Sequence, residues 1–172
     1  MLVTKMMLRR MKACESQVEA FEELFPSGAE WNDRADMERA YCTLNLPWFI
    51  KNAFNAGIVP EDQYKRFLSE SVNIKKHFND ETRENDSYYF SRINDWAQKL
   101  NEIGDRVKFA YVANYDVIAE LGKELIEISD TIRKARDAMN DGRAKIANDR
   151  KNSMIDLLIS IPLRSFPRKK KS

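Results

Sequence analysis

Apolar residues recur along most of the chain at steps of three and four, the spacing that puts them on one side of an α-helix. The longest run begins at Tyr89 and passes through Ile93, Trp96, Leu100, Ile103, Val107 and Tyr111. It continues through Asn114, Ile118, Leu121, Leu125, Ile128 and Ile132 to Ala135 and Met139. Gly104 and Gly122 weaken the helix but do not shift the phase. The pattern predicts one long helix over about 87–140. Asn140, Asp141 and Gly142 read as a turn, and Ile146, Met154, Leu157, Leu158 and Ile161 as a shorter antiparallel return helix that Pro162 ends.

Upstream the pattern is shorter and more broken. Met11, Cys14, Val18, Phe21 and Phe25 predict a helix over about 9–25, stopped by Pro26 and Gly28. Asn32 or Asp33 caps a second, with Met37, Ala40, Tyr41 and Leu44 inward. Pro47 suits the first turn of a third, Trp48 to Ala56, which Gly57 closes. Pro60 opens a fourth with Tyr64, Phe67, Leu68 and Val72 inward, and NDETREND (79–86) reads as a polar hinge or helix start. The fold class is therefore all-α. A compact cluster of short helices (10–78) precedes a coiled-coil-like helical hairpin (87–161) and a flexible basic tail (162–172).

Length gives the long stripe a consequence. A helix over 87–140 would measure roughly 80 Å at 1.5 Å per residue. A compact chain of this size has a radius of gyration of about 16 Å. Either the helix bends back near Gly104, or it projects and needs a partner to cover its stripe. The unbroken phase favours projection. Leu100, Ile103, Val107, Tyr111, Asn114, Ile118, Leu121, Leu125, Ile128 and Ile132 are thus expected to form the seam of a homo-oligomer, with Asn114 setting register. An internal bundle seam is the competing reading. Tyr88, Phe90, Phe109 and Tyr115 widen the apolar face, either for docking of the helix cluster or as a groove for a partner.

Composition supports helix, since 5 Gly and 5 Pro in 172 residues are too few for an all-β chain. The formal charge of +2 conceals an uneven layout. Residues 1–12 carry +4 and residues 163–172 carry +5, so the body between them is acidic. Two cysteines, Cys14 and Cys42, fit neither a disulfide framework nor a zinc site, and Cys14 falls on an apolar helical face. No apolar run has the length of a membrane span, and MLVTKMMLRRM lacks the build of a secretory signal. The expected location is a reducing cytoplasm.

Segment 37–57 invites a helix-turn-helix reading, with Asn45 in the left-handed turn position, Leu46 buried, and Lys51 and Asn52 facing nucleic acid. Charge opposes it: residues 13–62 hold ten acids and three bases. Arg164, Arg168, Lys169, Lys170 and Lys171 are the remaining candidates for contact with nucleic acid or an anionic membrane surface, the latter preceded by the apolar MIDLLISI (154–161). An enzyme is the least supported class. His77 is the one histidine, no nucleophile–histidine–acid set assembles around it, and the glycines form no phosphate loop. No catalytic residue, cofactor, metal or small-molecule substrate is expected.

ACESQVEAFEELFPSGAEW (13–31) followed by LNLPWFIKNAF (44–54) resembles a pattern in small bacteriophage and prophage proteins of unknown function. Ala13, Cys14, Gln17, Phe21, Phe25, Pro26, Gly28 and Trp48 carry the likeness. It implies a phage setting, hence a bacterial host cell, and no catalytic residue. The order of parts also resembles phage terminase small subunits, although none of their motifs is matched. The reading is a non-enzymatic, self-associating helical protein that binds another protein. Nucleic-acid binding through 37–57 and the tails, and membrane-surface association through 154–171, are the alternatives.

Overall fold

The computed structural model describes residues 1–110 and 115–166, with side chains for 1–107 and 116–166. Strand β1 (Leu2–Val3) pairs antiparallel with β2 (Ala29–Glu30), setting Leu2 opposite Glu30 and Val3 opposite Ala29. Between them run α1 (Lys5–Arg10) and α2 (Glu15–Leu24). After β2 come α3 (Arg34–Thr43), α4 (Leu46–Asn55), α5 (Glu61–Ala110) and α6 (Tyr115–Ile159). Apart from the two-residue strands the regular structure is helical, so the all-α class holds.

Several boundaries follow from residues named above. The Asp33 side chain accepts from the Asp36 N–H at the start of α3. Asn45 accepts from the Trp48 N–H at the start of α4, with Pro47 in the first turn where no N–H is required. Gly57, at φ 72°, closes α4: its N–H donates to Phe54 O at 2.9 Å and that of Ile58 to Ala53 O at 2.8 Å. The same double bond ends α1 at Lys12, φ 62°, where Lys12 N–H meets Arg9 O and Ala13 N–H meets Leu8 O, each at 3.0 Å. Hence the single helix expected over 9–25 is two. A non-glycine residue in this conformation costs about 1–2 kcal/mol. Burial of Leu8 and Met11 on either side of the turn offsets that cost.

The chain divides into two compact units, residues 1–76 with 149–172, and residues 77–148. In the first, 23 buried apolar residues make one core, enough to fix every short helix. Trp31 is its anchor. The ring stacks on Phe49 with centroids 5.0 Å apart, and the buried indole N–H donates to Ile161 O at 2.9 Å. Met154, Ile155, Leu157, Leu158 and Ile161, expected on a return helix, belong to this core. The unit therefore begins before the predicted 10–78, stops at 76, and takes in a separate segment from 149 onward. Leu163 and Phe166 pack on this core, which corrects the flexible tail for 163–166: Arg164 N–H donates to Ile58 O at 2.8 Å, and the Arg10 guanidinium lies 4.0 Å from the Phe166 ring centre. Leu68 and Val72 point outward, contrary to expectation, while Phe67 is buried.

In the second unit the stretch 79–86, read as a hinge or helix start, and the predicted turn at 140–142 are continuous helix, and so is Gly104, where a bend was the alternative to projection. The long rod over 87–140 is replaced by two antiparallel helices, α5 and α6, linked through residues 111–114. Asp86 accepts two bonds from the Arg143 guanidinium, at 2.7 and 2.8 Å, and Arg106 pairs with Glu124 at 3.0 Å. The stripe faces itself. Ile103, Leu121 and Ile128 are buried together, with Trp96, Leu100, Val107, Leu125 and Ile132 packed around them. At 45 residues α6 is long enough to cover α5, so the length argument for a foreign partner over this seam fails. Gly142 serves close packing, not a turn. A Cβ there would collide with the Asn85 amide, whose nitrogen donates to Met139 O at 3.2 Å.

Candidate functional site

An antiparallel two-helix unit has one seam and two open sides, and here the sides differ. Gly104 directly follows the buried Ile103, and Gly122 directly follows the buried Leu121. In an antiparallel pair of right-handed helices, positions one step after the seam open on the same side. The opposite side carries the Arg106–Glu124 ion pair. Among the described residues, and apart from each glycine's own helix backbone, nothing stands within 4 Å of where a Cβ would lie at either glycine. Ile118 and Ile126, four residues before and after Gly122, are 38% and 66% exposed. On α5 the matching row is Ile93, Ala97, Leu100 and Gly104, with Phe90 exposed at one end. By helical spacing, every charged residue of 93–104 and 118–129 falls away from this side. What remains is an uncharged strip of apolar and small residues.

This strip differs from the seam that the stripe predicts. Leu100, Ile103, Val107, Leu121, Leu125, Ile128 and Ile132 pack within the chain; Ile118 lies on the strip. Tyr111 and Asn114 lie outside the described residues. Ile126 was missed because it falls off the stripe, and only the antiparallel pairing reveals that it shares a side with Gly104. Tyr88 is exposed beside its hydrogen bond to Arg92.

Segment 37–57 has the two helices of a helix-turn-helix, but Asn45 is at φ −80°, not left-handed. Leu46 is buried as expected, and so are Phe49, Ile50 and Ala53, making α4 a core helix. Lys51 is exposed, whereas the Asn52 amide is engaged by Trp48 O at 2.9 Å. The apolar side chains of 154–161 that a membrane-surface helix would insert lie in the core. Arg164 is exposed; Arg168, Lys169, Lys170 and Lys171 lie outside the described residues.

Cys14 is exposed at the start of α2, correcting its assignment to a buried face, and Cys42 is exposed too. The Ser16 hydroxyl, 3.3 Å from the Cys14 sulfur, and the Gln17 N–H hold the thiol below its ordinary pKa. His77 is exposed and within 3.3 Å of Glu81. Among the described residues no group of three His, Cys, Asp or Glu side chains is placed to hold a metal ion. Nor is any described helix long and apolar enough to cross a membrane. No family model, curated protein or solved structure matches the chain.

Proposed function

We propose that this is a non-enzymatic, self-associating interaction protein. The uncharged strip of the hairpin pairs with the same strip of a second copy, and the first unit binds another protein. One observation carries the self-association: by helical spacing Gly104 and Gly122 open on one side of the hairpin, on α6 between the exposed Ile118 and Ile126, and among the described residues no atom outside their own helix backbone lies within 4 Å of where a Cβ would stand. Each glycine costs about 1 kcal/mol relative to alanine. That cost is unexplained within one chain, and it is explained if another helix approaches closely there. A two-fold arrangement of two hairpins makes a four-helix contact, and an isologous interface needs only this one patch. Two exposed free cysteines support a reducing, cytoplasmic location. The likeness of 13–57 to phage proteins supports a phage accessory role.

Sedimentation velocity on an Ile118→Lys/Ile126→Lys variant tests the pairing. The expected result is a shift to a slower species with unchanged helical circular dichroism; sedimentation identical to wild type would defeat the reading. Nucleic-acid binding is the weaker alternative, since Asn52 is engaged and residues 13–62 carry −7.

A further inference from the structure

The first unit holds a second surface of different chemistry. Phe67, Met154 and Leu158, all buried, floor a groove of about 280 Å³ whose wall includes Leu44 and Pro47 from the α3–α4 turn. Lys75 and Arg150 stand at its rim. Neither makes a hydrogen bond or ion pair with any described residue, although the preceding stretch 13–62 is rich in acids. On α5, Leu68 directly follows the groove's Phe67. Leu68 and Val72, four residues apart, are 47% and 63% exposed, and Lys75 follows on the same side one turn later.

Apolar surface beside two cations that no described residue pairs asks for a ligand with both properties. The apolar part includes Leu68 and Val72 besides the groove, a length that successive side chains of a peptide cover and a compact small molecule does not. We propose that this surface docks a short segment of another protein, with aromatic or aliphatic side chains for the groove and a carboxylate for Lys75 and Arg150. The proposal rests on the reading that the first unit binds other proteins, and is independent of self-association through the hairpin.

Selection of a randomised peptide library on the full chain tests it. Enriched peptides should join an aromatic or aliphatic residue to Asp or Glu about one turn away. Their affinity should fall about tenfold or more on Lys75→Glu/Arg150→Glu, and also on Val72→Asp, a change at an exposed position that leaves folding intact. Exchanging the acid of the peptide for lysine should abolish binding. No enrichment, enrichment of peptides without acids, or binding indifferent to these changes would overturn the proposal. So would a change in sedimentation on Lys75→Glu/Arg150→Glu, which would give the groove to a second copy. The hairpin reading is judged separately, by Ile118→Lys/Ile126→Lys.

Discussion

The two units use the same pair of long helices in opposite ways. In residues 1–76 and 149–166 the ends of α5 and α6 are sunk into a shared core with four short helices, and Trp31, Ile50 and Ile155 are almost wholly removed from solvent. Among the described residues of 77–148 the same helices have only each other. Buried apolar residues among the described ones number five there, Phe78, Ile103, Leu121, Ile128 and Met139, so most of the apolar lining stays half open. A two-helix layer hides one stripe and no more. The first unit is thus complete as a core and offers a local groove, while the second leaves a continuous side uncovered. That contrast is the ground for the proposal that self-association belongs to the hairpin and partner binding to the cluster.

The sharpest way to break the comparison is to empty each core in turn. Trp31→Ala should cost about 3–5 kcal/mol in urea denaturation, because a fully enclosed ring, its stacking on Phe49 and its bond to Ile161 are lost together. Ile128→Ala should cost about 2 kcal/mol, since its neighbours Leu125 and Ile132 are only half-buried and can close over the gap. Equal costs would mean that the hairpin is packed as densely as the cluster.

Gly104→Ala and Gly122→Ala separate the two explanations of the glycines. Each should raise the stability of the hairpin by about 1 kcal/mol, there being empty space where the methyl group goes. Together they should also weaken self-association, because the same methyl groups hold a second copy away. Increased stability with unaltered association would show that the glycines have no part in pairing.

A smaller effect comes from Asp86. Its hydrogen bonds to Arg143 hold the carboxyl below its ordinary value. The pair therefore stabilises the hairpin at pH above the unfolded carboxylate value of about 3.9, and that contribution is lost as pH falls through it toward the lower folded value. Asp86→Asn should melt below wild type at pH 6, with the gap closing beneath about pH 4. A gap independent of pH would assign the effect to packing. Smallest of all, Ser16→Ala should slow alkylation of Cys14 by iodoacetamide at neutral pH while leaving the melting temperature unchanged, since less of the thiol is ionised.

Helix content, the start of α3 and the end of α4 were legible in the sequence, because Asp33 and Gly57 each satisfy a particular backbone group at a helix end and Pro47 suits a first turn; Asn45, expected in a left-handed turn, instead caps α4. The stripe from Tyr89 to Met139 was legible as well, but not what it packs against. Periodicity gives a face; it does not say whether the chain doubles back. Asn140, Asp141 and Gly142 look like a turn, yet the Asp86–Arg143 pair and the space Asn85 needs beside Gly142 hold them in α6. Lys12 has no turn signature, and only the packing of Leu8 and Met11 makes its conformation worth adopting. Leu68 and Val72 share the spacing of core residues. Their exposure appears only once Phe67 is seen to take the inward place.

Light scattering of the wild-type chain across a wide concentration range distinguishes one copy from two. Pairing through the hairpin predicts a mass rising with concentration from one chain of 20.1 kDa to a plateau at two. A mass of 20.1 kDa at every concentration would contradict it.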